Sequence, residues 1–154
     1  MSKAILFKAI FLLTIQTAFA VVSKLSDIKF ATIKFNEVNA YTGPASDTPI
    51  EWVFIKKGEP VEVLAIYDQW RKIRDIKGEG GWVRLNSLSF KKRSVIITAK
   101  NIVPLLAKPQ NYDSIVAKVT PSYRCILHRC EKDWCQISCS SYKGWVNKQY
   151  LWGL

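Results

Sequence analysis

Four cysteines lie close together near the end of the chain, and they are its only ones. Cys125, Cys130, Cys135 and Cys139 fall within 15 residues. An even number of cysteines is typical of disulfides in an exported protein. Cys130 and Cys135 flank a short turn, so a hairpin there would place them opposite each other. Cys125 and Cys139 would then form the second pair, which requires a β-bulge because a regular ladder puts them on opposite faces. The sequence alone leaves the connectivity open.

His128 is the only histidine, and it raises two alternatives for the same cysteines. The spacing Cys-x4-Cys-x4-Cys-x3-Cys lacks the Cys-x2-Cys pairs that are typical of structural zinc sites. A cysteine nucleophile needs a base within hydrogen-bond reach and a third group to orient that base, and neighbours on one short strand are poorly placed for this. The 12 acidic residues are scattered rather than paired. We therefore predict no catalytic residue, no metal and no cofactor, with His128 at an ordinary strand position.

Aromatic residues are the remaining candidates for a binding surface. The chain contains six tryptophans and six tyrosines. Exposed aromatic faces beside a few polar groups bind sugars and peptides. We predict a ligand surface in the first half of the chain, formed by Tyr41, Tyr67 and Trp70, with Arg71 and Arg74 as contacts to anionic groups.

The tryptophans fall into two predicted classes. Trp70 comes after Asp68-Gln69 and Trp134 after Asp133, each at the tip of a predicted hairpin where half-exposure is expected. Trp134 therefore joins the candidate ligand residues. The alternative is that Trp70 only covers the core. Trp82 and Trp145 each follow a glycine, and we predict that both fill the core because tryptophan is usually mostly buried.

Short β-strands are the elements that must position these residues. Residues 52–56, 61–67 and 70–76 are rich in β-branched and aromatic side chains. Turn residues separate them at 57–60, 68–69 and 77–81, and the second half has turn residues at 121–122, 131–133 and 140–141. After residue 20 no window shows apolar residues at helical spacing over three turns. The pattern predicts an all-β sandwich or barrel.

An internal repeat divides the chain into two modules. Trp70 and Trp82 lie 12 residues apart, Trp134 and Trp145 lie 11 apart, and equivalent positions are offset by 63 to 65 residues. We predict a first module over residues 21–93 and a second over 94–154. No long glycine- or proline-rich linker separates the modules, so we expect them to pack together.

Several runs of the chain resemble the bacterial SH3 (SH3b) domain family. They are EWVF at 51–54, KGEPVEV at 57–63, DQWRKIRD at 68–75, GWV at 81–83, YKGWV at 142–146 and LWGL at 151–154. The likeness is greatest to the tandem type found in exported proteins of Gram-negative bacteria. The resemblance implies two small SH3-like β-barrels in tandem, export, and a non-enzymatic binding role.

Two departures from the family pattern limit what the resemblance implies. The family usually begins a module with Asn-x-Arg-x-Gly-Pro, whereas residues 39–44 read NAYTGP and place Tyr41 at the arginine position. Residues 104–109 of the second module read PLLAKP and lack both the asparagine and the glycine. These loops border the ligand groove in related domains, so ligand identity is not carried over.

The N-terminus has the features of a secretory signal peptide. Lys3 and Lys8 form a basic start, residues 9–15 are apolar, and residues 18–20 read AFA, which fits a cleavage site. We predict a signal-peptide helix over residues 1–20 that is removed, and a periplasmic or secreted protein. An uncleaved membrane anchor is the alternative, although a spanning helix needs about 20 apolar residues.

The chain is strongly basic, which bears on its partners. Removal of residues 1–20 takes away Lys3 and Lys8 and no acid, so the net charge falls from +11 to +9. For an exported protein, the natural anionic partners are cell-wall polymers and lipid headgroups, and no nucleic acid is expected. A solvated basic face is the alternative. We predict binding of peptidoglycan or its peptide stems, and alternatively an adaptor for another envelope protein.

Overall fold

The computed structural model describes residues 29–154, which form two seven-stranded antiparallel sheets. The predicted signal peptide lies outside the described residues. The described part of the chain contains no helix with the length and hydrophobicity that a membrane span requires. The first sheet consists of β1 (Phe30–Ile33), β2 (Val38–Tyr41), β3 (Ile50–Phe54), β4 (Pro60–Tyr67), β5 (Trp70–Arg74), β6 (Gly80–Arg84) and β7 (Leu88–Ser89), with a 3-10 helix at Leu85–Ser87.

The second sheet repeats the first. It consists of β8 (Ser94–Ile97), β9 (Val103–Leu106), β10 (Ile115–Val119), β11 (Arg124–Glu131), β12 (Trp134–Cys139), β13 (Tyr142–Asn147) and β14 (Leu151–Trp152), with a 3-10 helix at Lys148–Tyr150. The strand order is β3-β2-β6-β5-β4-β1-β7 in the first sheet and β10-β9-β13-β12-β11-β8-β14 in the second. Each strand of one sheet therefore has its counterpart seven strands later. The all-β prediction is confirmed.

Each sheet encloses its own hydrophobic core. Inward positions alternate with outward ones along the strands, because successive side chains of a strand point to opposite faces. The first core includes Ile33, Val61, Ile73 and Val83, and the second is built from Val95, Ile97, Val103, Leu105, Val119, Cys125, Cys135, Ile137, Cys139 and Val146. The buried residues of the two clusters do not mix, so within residues 29–154 each sheet has a core of its own.

Trp82 and Trp145, the two tryptophans predicted to fill the core, lie outside the two main core clusters. Val83 and Val146 are the core residues, and the tryptophan that precedes each one points to the opposite face. Trp82 is only partly buried. Trp145 is buried, but it packs with Leu106 and Trp134 in a separate small cluster.

The glycine before each of these tryptophans allows two strands to approach closely. A Cβ added to Gly81 would lie 2.7 Å from the carbonyl oxygen of Tyr41, and one added to Gly144 would lie 2.9 Å from the Cβ of Leu105. Any side chain at these positions would push β2 away from β6, or β9 away from β13. In each repeat, the glycine of the Gly-Trp pair therefore allows two strands to approach closely. The tryptophan that follows places its ring on the outward face of the sheet.

Both predicted disulfides are confirmed, and both join β11 to β12. Cys130 pairs with Cys135, and Cys125 pairs with Cys139. The expected bulge is present, because the register shifts between Leu127 and Arg129 and leaves the residue between them without a cross-strand partner. That residue is His128, which therefore lies at a bulge and not at an ordinary strand position.

The two modules are in contact, as the short connection predicted. The backbone N–H of Ser94 donates a hydrogen bond to Thr32 Oγ1 over 3.1 Å, and the Ser94 hydroxyl donates to the carbonyl of Gly58. Arg124 of the second module forms an ion pair of 2.9 Å with Glu59 of the first. Thr32 and Ser94 are both buried, so these polar groups satisfy one another where the modules meet.

Candidate functional site

An aromatic cluster lies on the outward face of the first module. The register pairs Tyr41 with Trp82 and Trp70 with Arg84, and residues that face each other across a ladder share one side of the sheet. The Tyr41 ring meets the Trp70 ring edge-on, with their centroids 5.7 Å apart. The guanidinium carbon of Arg84 lies 4.4 Å from the centroid of the Trp70 ring, within the range of a cation–π contact.

Arg84 connects this cluster to the loop between β2 and β3. Its Nη2 donates a hydrogen bond to the hydroxyl of Ser46 over 3.0 Å. Thr48 shapes the same loop, because its hydroxyl accepts a hydrogen bond from the backbone of Gly43 and donates one to the carbonyl of Ala45. Arg84 is exposed and has no carboxylate partner among the described residues. The site therefore presents the guanidinium of Arg84 above the Trp70 ring, with N–H groups that are free to donate hydrogen bonds to a ligand.

The expectation of half-exposed tryptophans at the hairpin tips is wrong. Trp70 is 5% exposed and Trp134 is 7% exposed. Trp70 is covered because Tyr41 and Arg84 pack against its ring. The structure does bring together three of the residues that the sequence proposed for the first module: Tyr41, Trp70 and Tyr67, which pairs with Trp70 across the turn and is 62% exposed.

The two arginines proposed as ligand contacts are engaged within the protein. Arg71 Nη1 donates to the carbonyl oxygens of Asp68 and Trp70, over 2.9 and 2.8 Å, and burial lowers the pKa of Arg71. Arg74 forms an ion pair of 2.7 Å with Glu62. Sequence reasoning missed Arg84. Arg84 could have been found from its position opposite Trp70 in the neighbouring strand. That position is recognisable only when it is known which residues of β6 point outward.

The second module carries a related aromatic cluster, but different residues surround it. The Tyr112 ring meets Trp134 edge-on, with centroids 6.1 Å apart, and the Arg129 guanidinium lies 5.3 Å from the Trp145 ring. Leu106 faces Trp145 where Tyr41 faces Trp82 in the first module. Asn147 faces Trp134 where Arg84 faces Trp70. The aromatic base is thus repeated, while the polar groups around it differ.

His128 contacts one polar side chain. Its Nε2 lies 2.6 Å from the hydroxyl of Ser138, and both groups are on the outer surface of the β11–β12 hairpin. Within residues 29–154 no group of three or more His, Cys, Asp or Glu side chains is arranged to hold a metal ion. The four cysteine sulfurs are all in disulfides. The arrangement with the clearest binding chemistry is therefore the aromatic–arginine cluster.

A sequence model described as the bacterial SH3 domain matches residues 34–89 and 99–153. The chain belongs to the bacterial SH3 domain family. The two matched segments fall one in each sheet, so the structure contains two SH3 modules in tandem, as the sequence resemblance implied. Bacterial SH3 domains are typically non-catalytic binding modules.

Solved structures similar to the tandem SH3 chain include NlpC2 and NlpC1 from Trichomonas vaginalis. Both are 16% identical to it, with a TM-score of 0.37, over 80% of its length. The alignments cover 47% of NlpC2 and 45% of NlpC1, so the chain spans less than half the length of either protein. A comparison with curated proteins found no match.

Proposed function

We propose that this tandem SH3 protein is a non-enzymatic binding protein of the bacterial cell envelope that recognises peptidoglycan through its peptide stems. The observation that carries the proposal is the outward aromatic–arginine surface of the first SH3 module, formed by Tyr41, Tyr67, Trp70 and Arg84. The second module adds a related aromatic cluster, in which Arg129 lies over Trp145 and is paired with Glu131 at 3.4 Å.

The chemistry of a peptide stem fits this surface. Stem peptides carry several carboxylates, and the exposed Arg84 guanidinium can bind a carboxylate through two parallel hydrogen bonds. The exposed Tyr67 ring offers a flat face for an aliphatic side chain or a sugar ring. Because Arg84 is already held over Trp70 and against Ser46, little side-chain entropy is lost when it binds.

Two modules on one chain favour binding to a polymer. Once the first module holds one stem, the second is kept at high local concentration near neighbouring stems, so the apparent affinity rises without new contacts. The net charge of +9 that remains after removal of residues 1–20 also attracts the protein to an anionic wall.

Export supports the same proposal. The two disulfides are typical of proteins that fold in an oxidising compartment such as the periplasm. The predicted signal peptide at residues 1–20 would deliver the protein there. We therefore propose that the protein works in the periplasm or outside the cell.

Co-sedimentation with purified sacculi at physiological salt tests the proposal. We expect the wild-type protein to pellet with sacculi, and Arg84→Ala to weaken the apparent affinity about tenfold, since a charge-assisted pair is lost. Arg74→Ala is the matched control, because it removes the same charge from a residue that Glu62 already engages. Equal amounts of wild-type protein in the supernatant with and without sacculi would refute peptidoglycan binding.

A protein partner is the second candidate, and the edge strands favour it. β3 and β10 lie at the ends of their sheets and expose large apolar side chains, among them Ile50, Trp52 and Ile115. An extended segment of another protein could add a strand to such an edge. Crosslinking in cells distinguishes the candidates, because an adaptor yields one stoichiometric protein adduct whereas a wall binder yields glycan.

A further inference from the structure

A second candidate site lies between the two SH3 modules, on surfaces separate from the aromatic–arginine clusters. We call it the intermodule cleft. It is lined by residues 32–34, 57–58 and 88–90 of the first module, the connecting residues 91–93, and Ser94 and residues 126–128 of the second. Neither module forms this cleft alone. The hydrogen bonds from Ser94 to Thr32 and Gly58 hold its two walls together.

The cleft is lined by positive charge without any negative charge. Five of its 15 residues are basic and none is acidic; the basic ones are Lys34, Lys57, Lys91, Lys92 and Arg93. None of the ion pairs formed among residues 29–154 uses any of these five side chains. Like charges brought together without counter-ions destabilise a fold, so an anion placed among them would be bound favourably.

The contacts of Arg93 also leave its positive charge without a negatively charged partner. One of its terminal nitrogens, Nη2, donates to the carbonyl of Gly153 over 2.6 Å, while its Nε is buried without a hydrogen-bond partner. Burial also lowers the pKa of Arg93. A partly desolvated guanidinium with only a neutral carbonyl as partner is stabilised when an anion approaches.

Part of the cleft wall is apolar. Phe90 and Leu127 are partly exposed, and Ile126 is 58% exposed beside them. A ligand that suits the cleft therefore combines an anionic group with a less polar portion. Lysines act as point charges toward phosphate, and an arginine adds directed hydrogen bonds.

We infer that the intermodule cleft binds a phosphate group. A phosphate ester or anhydride fits better than a single carboxylate, because it can place two or more negative charges among five cations. Phospholipid headgroups and soluble phosphorylated compounds share this chemistry, and the experiment distinguishes these two sources.

Titration calorimetry with sodium pyrophosphate tests the inference on the purified protein. We expect saturable binding that the triple variant Lys57→Glu, Lys91→Glu, Lys92→Glu weakens at least about tenfold. The control is Lys100→Glu, Lys118→Glu, Lys143→Glu, which changes the net charge by the same amount at exposed positions outside the cleft. The control is expected to bind like the wild type. No saturable binding by the wild type, or equal losses in both variants, would overturn the inference.

Flotation with vesicles identifies the source of the phosphate. If a phospholipid headgroup is the ligand, phosphatidylglycerol vesicles retain the wild type and the control but not the cleft variant, and phosphatidylcholine vesicles retain none. If a soluble phosphate compound is the ligand, pyrophosphate binds and neither kind of vesicle does. Equal losses of vesicle binding in both triple variants would show that only overall charge acts, and would contradict a phospholipid ligand in the cleft.

Discussion

Trp70 shows how one side chain can serve both stability and binding. It points away from the core of the first SH3 module, yet it is buried, because Tyr41 and Arg84 pack against its ring. The same contacts hold Arg84 in place with its donors facing solvent. A ligand that binds at Arg84 therefore rests on a preformed support, and loss of that support weakens both the module and the site.

Replacement of Trp70 by alanine tests its structural role. We expect Trp70→Ala to lower the free energy of unfolding by about 3 kcal/mol, the lower end of the range for large buried aromatic residues. Trp52→Ala is the control, because Trp52 is 37% exposed at an edge strand, and its cost is expected to stay below about 1 kcal/mol. Urea denaturation gives both values, and equal costs would contradict the packing described.

At the scale of elements, the strands and turns follow from local sequence. The predicted strand over residues 70–76 corresponds to β5 at Trp70–Arg74, and the turn at 68–69 lies between strands as expected. The turn predicted at 57–60 lies between β3 and β4 except for Pro60, which begins β4. Both follow from β-branched and aromatic runs broken by glycine, proline and aspartate. The bulge beside His128 also follows, because Cys125 and Cys139 can pair only if the ladder gains one residue.

The direction in which Trp82 and Trp145 point could not be predicted. A strand has two faces, and a short run such as Gly-Trp-Val does not reveal which of its residues points inward. That choice is made by the strand that crosses at Gly81 or Gly144, which is a contact between residues distant in sequence. Arg84 was missed for the same reason, since its contact with Trp70 depends on the pairing of β5 and β6.

The disulfides of the β11–β12 hairpin stabilise the second module. Chain entropy gives about 3 kcal/mol for the bridge from Cys125 to Cys139 and about 2 kcal/mol for the shorter one from Cys130 to Cys135. We expect the variant Cys125→Ala, Cys139→Ala to destabilise the second module more than the variant Cys130→Ala, Cys135→Ala. The first module contains no cysteine.

Hydrogen exchange followed by mass spectrometry checks this order. Amides of β11 and β12 should exchange fastest in the variant without the Cys125–Cys139 bridge, whereas amides of β4 and β5 serve as the internal control and should keep their wild-type rates. Faster exchange in the variant without Cys130–Cys135 would reverse the expected ranking and contradict the argument from loop length.

At the scale of the whole molecule, the duplication creates two kinds of surface. Each SH3 module presents an outward aromatic cluster, while the contact between modules creates the intermodule cleft. The repeat and the two-module architecture could be predicted from the offset of 63 to 65 residues. The cleft could not, because it depends on how the modules pack, and Thr32 and Ser94, which make that contact, have no distinctive sequence signal.

Chemical-shift mapping reveals whether the outward surfaces of this protein bind peptidoglycan stems, as we propose. Titration of the isotope-labelled protein with a soluble disaccharide–peptide fragment of peptidoglycan should shift amide signals of Tyr41, Tyr67 and Arg84, with smaller shifts at Tyr112 and Arg129. Signals of the core residue Val61 should not move. Shifts confined to the intermodule cleft or to the edge strands β3 and β10, or no saturable shifts at all, would contradict the claim.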